Sequence, residues 1–500
     1  MNLTDSIWRH CAGNPARIAI TAGKIRVPYG SLRVTVENIM RQLAARGVKQ
    51  DDCVAVSAAQ PAAHLTILIA LARMGAVSTP FDPRWPDPAK NAMLARQPVA
   101  LLVCERVDAW SGEQARRLPQ ATPAELFAAA PAGLPEVRVA TECVDQVWRI
   151  ALTSGTTGQS KGVPWTQGAT QELQHISAQI YTSGPPERRL IRADLRIGFA
   201  LGHALMQLSA GGEVVFPESG KVESVVEALG TPGPIGLVTT TALAIELANH
   251  LHKQAGQAPV PAGRVESILI GGSRVPAKVL ATLRGLLTPN IRVTYGSTET
   301  GTMALATDPQ PDGPDGEAGQ LAPWITCQAL DESGNPLEPG QTGVLRFRGP
   351  AMAGGYIGAA AGDTSGLREG WFYPGDRGSV APDRRLVLAG RSDDVLNVGG
   401  IKVDPALIEQ VLDSDEQVVE SSVVVVEDDN GVRVLAAAVV CRGPLDAEKL
   451  LAHCLKSLAR PTVPSRIVIT EDLPRNPGGK VMRRQVETMV KARIAQGVQG

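Results

Sequence analysis

The sequence lacks the spacings that would predict a metal site or a disulfide framework. Seven cysteines are spread along the chain, at positions 11, 53, 104, 143, 327, 441 and 454. They form no CxxC pair, and neither an HExxH motif nor a cluster of Cys and His is present, so zinc is not predicted. We expect reduced thiols in a cytoplasmic protein, mostly packed as small apolar side chains.

Long apolar runs and an excess of charge are also missing. The longest apolar stretch, residues 65–77, is short and contains Arg73, which favours a buried helix over a membrane span. The N-terminal MNLTDSIWRHCAG has no basic segment followed by a long apolar core, so no signal peptide is expected. The formal net charge of −1 gives no general electrostatic reason to bind nucleic acid or anionic lipid, and neither is an expected partner.

The chain does contain enough apolar sequence for large cores. Of its 500 residues, 44% are hydrophobic and 20% are charged, which predicts two or three folded domains. Apolar runs at 147–152, 265–270 and 291–295 each end in a loop of small polar residues, and helical patterns lie between them. This alternation predicts an α/β fold with a largely parallel sheet. Because ligands bind beyond the carboxyl ends of such strands, we expect these loops to meet at one site.

The pattern changes after about residue 390. The predicted elements there are a helix at 405–412, two strands within 421–440 around Asn430-Gly431, a helix at 446–459, a strand at 466–470 and a final helix. An Asn-Gly pair between two apolar runs is a strong hairpin signal. We predict a large domain at 1–392, followed by a small α+β domain at 393–500.

Residues 152–164, LTSGTTGQSKGVP, form a polar loop after an apolar run. Its glycines allow backbone N–H groups to approach an anion, and its hydroxyl groups and Lys161 add donors, so phosphate is the expected ligand. The common phosphate loop G-x-x-x-x-G-K-[ST] is not matched, because Gln follows Gly158 and Gly follows Lys161. An ordinary P-loop kinase or GTPase is disfavoured, and a flexible linker remains the alternative.

Further motifs stand in a fixed order along the chain. They are RMGAVSTPFDPRWP (73–86), YGSTETG (295–301), GWFYPGDRG (370–378), GRSDDVLNVGGIKVDP (390–405) and LPRNPGGK (473–480). With the polar loop, they resemble the adenylate-forming superfamily (acyl-CoA synthetases, nonribosomal-peptide adenylation domains and luciferases) over nearly the whole chain. Pro374 departs from the pattern, since the family usually has Thr there. The resemblance implies a large domain with mixed or parallel sheets flanked by helices, and a small mobile C-terminal domain.

The resemblance also implies the reaction. A carboxylic acid is joined to ATP, giving an acyl-adenylate and pyrophosphate, and a thiol then takes the acyl group. Lys480 would stabilise the charge that develops on the α-phosphate oxygens. Asp393 matches the hinge about which the small domain turns. Gly399 and Gly400 would line the approach of the thiol, where missing side chains leave room.

For the nucleotide, the resemblance implies that the β- and γ-phosphates are held by Thr153, Ser154, Gly155, Thr156, Thr157, Gly158 and Lys161. Tyr295 would lie against adenine, Thr298 would contact the α-phosphate, and Glu299 would hold Mg²⁺, which prefers oxygen ligands. Asp376 would accept hydrogen bonds from the ribose hydroxyls, and Arg391 would reach the same sugar. The nucleotide site would also include Gly272, Ser273, Gly296 and Ser297.

Residues 192–216 resemble the segment that forms part of the acid pocket, with Gly198, Phe199 and Gly202 lining it. Amino-acid-activating relatives carry an Asp in this stretch, whereas Gly198 stands at the corresponding place and no acid occurs from Leu195 through Gly212. Because a buried ammonium without a counter-charge is costly, an α-amino acid is disfavoured. We expect an aryl or medium-sized aliphatic carboxylate, for which the glycines leave space.

The predicted function is therefore an AMP-forming acid:CoA ligase that uses ATP, Mg²⁺ and coenzyme A, with a small carboxylic acid as substrate. One alternative keeps the adenylation but transfers the acyl group to the phosphopantetheine thiol of a separate carrier protein. Another is a nucleotide-binding protein that has lost catalysis. The presence of both Glu299 and Lys480 argues against the latter.

Overall fold

A computed structural model gives the structure of the chain. It describes residues 2–85, 87–105, 118–131, 133, 137–141, 143–153, 161–180, 187–254, 260–261, 263–309, 316–357, 366–391, 396–398, 401–403, 405–427, 432–458, 460–476 and 479–496.

Helices and short strands alternate through the first part of the chain. In chain order they are α1 (Asp5–Gly13), β1 (Ile18–Ala22), β2 (Ile25–Pro28), α2 (Tyr29–Ala45), β3 (Cys53–Val56), α3 (Pro61–Met74), β4 (Val77–Pro80), α4 (Asp87–Arg96), β5 (Leu101–Val103), β6 (Gln120–Ala121), α5 (Pro123–Phe127), β7 (Val147–Thr153), β8 (Lys161–Thr166), α6 (Gln167–Ile180), β9 (Arg188–Arg192) and α7 (Gly198–Ser209).

Strands become more frequent in the second part. The elements continue with β10 (Glu213–Phe216), α8 (Val222–Gly230), β11 (Ile235–Thr240), α9 (Thr241–Lys253), β12 (Val265–Gly271), α10 (Ala277–Leu286), β13 (Ile291–Ser297), β14 (Gly301–Thr307), β15 (Glu317–Leu321), β16 (Thr326–Leu330), β17 (Gly343–Arg348), β18 (Leu367–Arg368), β19 (Trp371–Phe372), β20 (Asp376–Val380) and β21 (Arg385–Arg391). The C-terminal elements are β22 (Leu396–Val398), β23 (Ile401–Val403), α11 (Pro405–Ser414), β24 (Val418–Glu427), β25 (Arg433–Cys441), α12 (Ala447–Ser457), β26 (Arg466–Thr470) and α13 (Arg483–Ala495).

Two sheets contain the described strands up to β21. The larger has the order β18-β19-β17-β20-β21-β15-β14-β13-β12-β11-β9-β10-β1-β2, with β16 paired to β17, and the smaller has the order β6-β5-β3-β4-β7-β8. Parallel pairing joins β13, β12, β11, β9, β10 and β1 in the larger sheet. The antiparallel hairpin of β13 and β14 then turns the chain back at the centre of that sheet.

The three apolar runs singled out in the sequence are the strands β7, β12 and β13. β12 and β13 are parallel neighbours, as expected, but β7 belongs to the smaller sheet, where β8 pairs with it in antiparallel register. The polar loop therefore connects the two strands of a hairpin. The sheets are mixed, and the three loops predicted to meet follow strands of two different sheets.

Helix α3 confirms the prediction of a buried helix for the longest apolar run. It begins with Pro61, whose missing N–H is tolerated at a first helical position, and ends at Gly75 in the left-handed conformation, with φ 74°. Arg73 lies with its guanidinium 3.7 Å above the centre of the Trp8 ring and pairs with Asp5. Among the described residues, no helix is long and apolar enough to cross a membrane. The cysteines are all free thiols.

The last hundred residues form a three-stranded sheet with helices on both faces. Successive side chains of β24 alternate between the faces: Val423 and Val425 pack with α11 and α12, whereas Val424 and Val426 pack with α13. β24 and β25 pair as the predicted hairpin, although its Asn430-Gly431 turn lies outside the described residues. The predicted domain boundary also lies outside them, at residues 392–395.

Asp413, near the end of α11, generates a prediction about stability. Burial raises the pKa of its carboxyl to about 7, although Ser421 donates a hydrogen bond to Oδ1 over 2.8 Å. An unfolded Asp titrates near pH 4, so the stabilising contribution of this group is full below about pH 4 and is lost as the pH rises through about 7. We predict that the free energy of unfolding of Asp413→Asn, compared with that of the wild type, increases from pH 5 to pH 8 by on the order of 1 kcal/mol.

Urea unfolding at both pH values measures this difference. Glu416→Gln, at an exposed position of the same segment, is the control. An Asp413→Asn variant whose stability relative to the wild type does not change with pH would contradict the prediction.

Candidate active site

One cavity of 2810 Å³ is lined by residues from Pro80 to Val481, so both the large domain and the C-terminal region contribute to it. Small-molecule sites usually have volumes of roughly 300–1,000 Å³, so this one has room for more than one substrate. The described residues of the predicted site line it: Thr153, Lys161, Gly198, Phe199, Gly202, Gly272, Ser273, Tyr295, Gly296, Ser297, Thr298, Glu299, Asp376, Arg391 and Lys480. The other predicted residues lie outside the described part of the chain: Ser154, Gly155, Thr156, Thr157, Gly158, Asp393, Gly399 and Gly400.

A carboxylate joins the two strands that carry the residues predicted to bind ribose. Asp376 and Arg391 are cross-strand partners on β20 and β21. The Tyr295 hydroxyl donates to Asp376 Oδ2 over 2.5 Å, and Arg391 Nη1 donates to Oδ1 over 3.2 Å. Burial, and then the Asp376 charge, raise the pKa of Tyr295, so the phenol stays protonated and donates. Because a carboxylate accepts several hydrogen bonds, this arrangement is compatible with ribose hydroxyls as further donors.

The turn between β13 and β14 carries the residues predicted to contact the α-phosphate and Mg²⁺. A Cβ built on Gly296 would lie 2.4 Å from Gly301 O, so only glycine allows the two strands to approach this closely. Ser297 Oγ accepts hydrogen bonds from the backbone N–H groups of Glu299 and Thr300, both over 3.2 Å. These contacts fix the backbone that carries Thr298 and Glu299.

Glu299 is contacted by a tyrosine that sequence reasoning missed. The Tyr356 hydroxyl donates to Glu299 Oε1 over 2.9 Å, and Lys161 Nζ lies 4.8 Å from the centre of the same ring. Tyr356 therefore connects the predicted metal ligand to the lysine of the polar loop. The only sequence signal was a tyrosine in the glycine-rich segment GPAMAGGYIG, which does not indicate its partners.

The surroundings of Glu299 fit a magnesium ion. The residue is 8% exposed, and burial raises the pKa of its carboxyl even though Tyr356 donates to it, so a bound cation would offset an incompletely stabilised charge. Among the described residues, no group of three His, Cys, Asp or Glu side chains forms a metal cage. Mg²⁺ often binds through one carboxylate, phosphate oxygens and water, and Glu299 would be that carboxylate.

Lys480 is presented to the cavity by a tight turn of the C-terminal region. Its backbone N–H donates to Asn476 Oδ1, and the N–H of Asn476 donates to Lys480 O, both over 2.9 Å. Arg475 Nη1 donates to Gly479 O over 2.8 Å, and the same guanidinium pairs with Glu420 on β24. The turn is thereby anchored to the C-terminal sheet.

The same turn touches the large domain. A Cβ built on Gly479 would lie 3.2 Å from Ala242 Cβ and 3.3 Å from Thr240 Oγ1, at the junction of β11 and α9. Gly479 has φ +77°, which favours glycine. The cation at the far end of the sequence therefore lies on the cavity that the first part of the chain forms.

The predicted acid pocket lies at the start of α7, where Gly198 does not leave the expected space. A Cβ built there would lie 2.3 Å from Cη2 and 2.6 Å from Cζ2 of the Trp165 indole, so this side chain fills the volume. Trp165 Nε1 also donates to Thr298 O over 2.9 Å. By contrast, a Cβ built on Gly202 would meet no atom within 4 Å, so the space is at that position.

Among the described residues that line the cavity near α7, the one carboxylate is already paired with arginine side chains. Phe199 packs edge-on against His203, with ring centres 4.9 Å apart. Burial lowers the pKa of His203 to about 3, helped by the charge of Arg189, so this imidazole is neutral. Asp82 lines the cavity, but both of its oxygens accept hydrogen bonds from Arg84, and Arg196 Nη1 lies 2.6 Å from Oδ2.

Comparison with known proteins identifies the family. The AMP-binding enzyme model matches residues 7–357, and the model of the AMP-binding enzyme C-terminal domain matches residues 407–480. The chain belongs to the AMP-binding enzyme family. The predicted membership of the adenylate-forming superfamily is thereby confirmed.

Curated relatives of this family member match over almost their whole length. Indoleacetate–CoA ligase of Aromatoleum aromaticum is 28% identical over 98% of both chains. 2-Succinylbenzoate–CoA ligase of Bacillus mycoides is 27% identical over 95% of this chain and 96% of the relative. The predicted enzyme class, an AMP-forming acid–thiol ligase, is confirmed at the level of the family.

Solved structures with the same fold include o-succinylbenzoate CoA synthetase from Bacillus subtilis with its acyl-adenylate intermediate, at TM-score 0.83, 22% identity and coverage of 96% and 97%. ATP-bound MatB from Rhodopseudomonas palustris matches at TM-score 0.82 and 21% identity, over 98% of this chain and 99% of that one. The B. subtilis enzyme has also been solved with ATP and a magnesium ion. At these identities the structural likeness confirms the fold class. The predicted cofactors are ATP, Mg²⁺ and coenzyme A, and they agree with the ligands and names of these proteins.

Replacing Lys480 tests its predicted role. If its ammonium stabilises charge only while the α-phosphorus is attacked, Lys480→Ala slows adenylation by about 10²–10³-fold and affects thioester formation from a preformed acyl-adenylate much less. Single-turnover assays of the two half-reactions measure this, with Lys491→Ala, at an exposed helical position, as the control. Equal losses in both half-reactions would argue against the role.

Replacing Asp376 tests the ribose contact. Asp376→Asn keeps the shape but removes the charge that Tyr295 and Arg391 share. Loss of charge-assisted hydrogen bonds costs roughly 1.5–3 kcal/mol, so we expect ATP to bind about 10–100-fold more weakly. Calorimetric titration with ATP measures this, and Asp145→Asn, at an exposed position outside the residues that line the cavity, should bind like the wild type. Unchanged affinity in Asp376→Asn would place the ribose elsewhere.

Proposed function

We propose that this protein is an acid:CoA ligase that activates an aryl or medium-sized aliphatic carboxylic acid as its acyl-adenylate and transfers the acyl group to coenzyme A. The observation that carries the proposal is the position of Lys480 on the cavity shared by Thr298, Glu299 and the apolar pocket of α7. A cation, a phosphate-side turn and a pocket for an acid are what the first half-reaction needs in one place.

In that half-reaction, a carboxylate oxygen of the acid attacks the α-phosphorus of ATP, and the bond to the β-phosphate oxygen breaks to release pyrophosphate. Negative charge increases on the α-phosphate oxygens in the transition state, and the Lys480 ammonium stabilises it more strongly than the ground state. Thr298 contacts the α-phosphate from the β13–β14 turn. Mg²⁺, held by Glu299, would neutralise phosphate charge.

The substrate proposal rests on the composition of the pocket. Trp165, Phe199 and Met206 give it apolar walls, and the one described carboxylate near the start of α7 that lines it, Asp82, already pairs with two arginines. Burial alone would raise the pKa of Asp82, but these guanidinium groups outweigh it and lower the value to about 2. A substrate ammonium would find no counter-charge there, so α-amino acids are disfavoured. The relatives named for indoleacetate and 2-succinylbenzoate, both aryl acids, support the aryl class.

In the second half-reaction, the CoA thiol loses its proton and attacks the acyl carbonyl, and AMP leaves. Lys480 occupies the cavity during adenylation, so a thiol must reach the carbonyl by another arrangement of the C-terminal domain. We propose that domain 393–500 turns about Asp393 against domain 1–392, and that Gly399 and Gly400 then line the path of the thiol. Such hinge closures are a common way to alternate two catalytic arrangements.

Acid-dependent exchange of pyrophosphate into ATP tests the proposed activity. A panel of benzoic, arylacetic, medium-chain aliphatic and α-amino acids should give exchange with one of the first three classes only. Addition of CoA should then give an acyl-CoA and AMP. If a thioester forms only when a phosphopantetheinylated carrier protein is added, the carrier protein and not CoA is the acceptor. ATP binding without any exchange would contradict the enzymatic proposal.

A proline at position 393 tests the hinge. Asp393→Pro fixes φ near −65°, so it should leave pyrophosphate exchange within about twofold of the wild type while thioester formation falls by at least tenfold, since a fixed hinge cannot supply the second arrangement. Asp393→Ala is the control for loss of the side chain. A proline variant that completes both steps normally would remove the hinge assignment.

A further inference from the structure

The Trp165 indole lies between the reacting centre and the acid pocket. Its Nε1 donates to the carbonyl of Thr298, the residue assigned to the α-phosphate, over 2.9 Å. The opposite edge of the indole, at Cη2, reaches the backbone of Gly198. The ring thus extends from the turn that holds the phosphate to the first residue of α7, and it borders the cavity along this length.

Gly198 is the residue that makes this position of Trp165 possible. The nearest indole carbons would lie 2.3 Å and 2.6 Å from a Cβ at position 198, and real Cβ atoms do not approach other atoms so closely. The indole also lies beside Trp148, whose ring centre is 6.5 Å away and which is fully buried. A side chain at position 198 therefore cannot be accommodated unless Trp165 moves or is replaced by a smaller residue.

One turn further along α7, the pocket is open. Residues 198, 202 and 206 lie on the same face of the helix, because they are four positions apart, and all three line the cavity. No atom lies within 4 Å of a Cβ built on Gly202. Along this face the pocket is therefore narrow beside Trp165, wide at Gly202 and apolar at Met206.

We propose, on the basis of the function proposed above, that Trp165 and Gly198 together determine which acids are accepted. The indole forms the wall next to the first carbons after the carboxylate, so it excludes acids that are branched at the α-carbon. The space at Gly202 takes the larger apolar part of the acid. The substrate class is therefore an α-unbranched aryl or aliphatic acid whose bulk begins beyond the α-carbon.

Two matched pairs of acids test this selectivity in pyrophosphate exchange: phenylacetate against 2-phenylpropionate, and hexanoate against 2-methylhexanoate. The wild type should prefer the unbranched member of each pair. One methyl group in an apolar pocket changes kcat/KM by about 10–200-fold. In Trp165→Leu, the ratio of kcat/KM for the unbranched acid to that for the branched acid should fall at least tenfold. Gly202→Val should fill the space for the larger part of the acid. It should therefore lower activity with hexanoate much more than with butanoate.

A double-mutant cycle tests the packing without any acid. In a helix, Gly→Ala usually stabilises, but here the methyl group would overlap the indole, so Gly198→Ala should lower the Tm. Trp165→Leu should suppress that effect, so the double variant should melt above Trp165→Leu alone. Gly285→Ala, in α10 where a built Cβ meets no atom within 4 Å, is the control and should not melt below the wild type.

The outcomes separate this inference from the proposed function. Absence of exchange with every acid in the wild type would overturn the proposed function. Exchange in the wild type with a uniform loss for all acids in Trp165→Leu would show that the indole has only a structural role, and it would overturn the selectivity proposal. Independent effects of Gly198→Ala and Trp165→Leu on the Tm would contradict the interlock on which it rests.

Discussion

The site depends on bringing a cation from one end of the chain to a cavity that the rest of the chain forms. Lys480 lies on a turn that is anchored to the C-terminal sheet through Arg475 and Glu420, while Gly479 rests against Thr240 and Ala242 of the large domain. The C-terminal region also contacts the large domain elsewhere: Lys278 Nζ donates to Asp415 O over 3.2 Å, and Val419 packs in the apolar cluster of β11, β12 and α10. The proposed movement has to release these contacts as well as the one at Gly479.

The large domain supplies fixed elements around that cation. Asp376 is held by Tyr295 and Arg391, Glu299 by Tyr356, and the Thr298 carbonyl by Trp165. These contacts orient polar groups before a substrate arrives, which is the arrangement that stabilises developing charge most effectively. The acid pocket, by contrast, is shaped by absent side chains at Gly198 and Gly202, so selection of the acid is a matter of shape more than of charge.

Much of the fold and of the site could be predicted from the sequence, because local patterns determine both. Alternating apolar runs predicted the α/β class, and ordered motifs singled out Lys480 and Asp376, which both line one cavity; their roles stay predictions. Contacts between distant residues could not be predicted. Trp165 and Thr298 are 133 positions apart, and nothing near position 198 in the sequence indicates that an indole fills the space of its missing Cβ. For the same reason, the contact of Tyr356 with Glu299, 57 positions away, emerged only from the structure. The β7–β8 hairpin was missed although its strands are neighbours in the sequence.

A reversible cross-link between the two domains tests the central claim most directly. Cysteines at positions 242 and 479 would have their Cβ atoms about 3.2 Å apart, near the range that a disulfide requires. With Lys480 thus locked on the cavity, one round of acyl-adenylate and pyrophosphate formation should proceed, thioester formation should stop, and reduction of the disulfide should restore it. A locked enzyme that makes the thioester at the normal rate would contradict the account, as would a cysteine pair that never forms the disulfide in the presence of ATP.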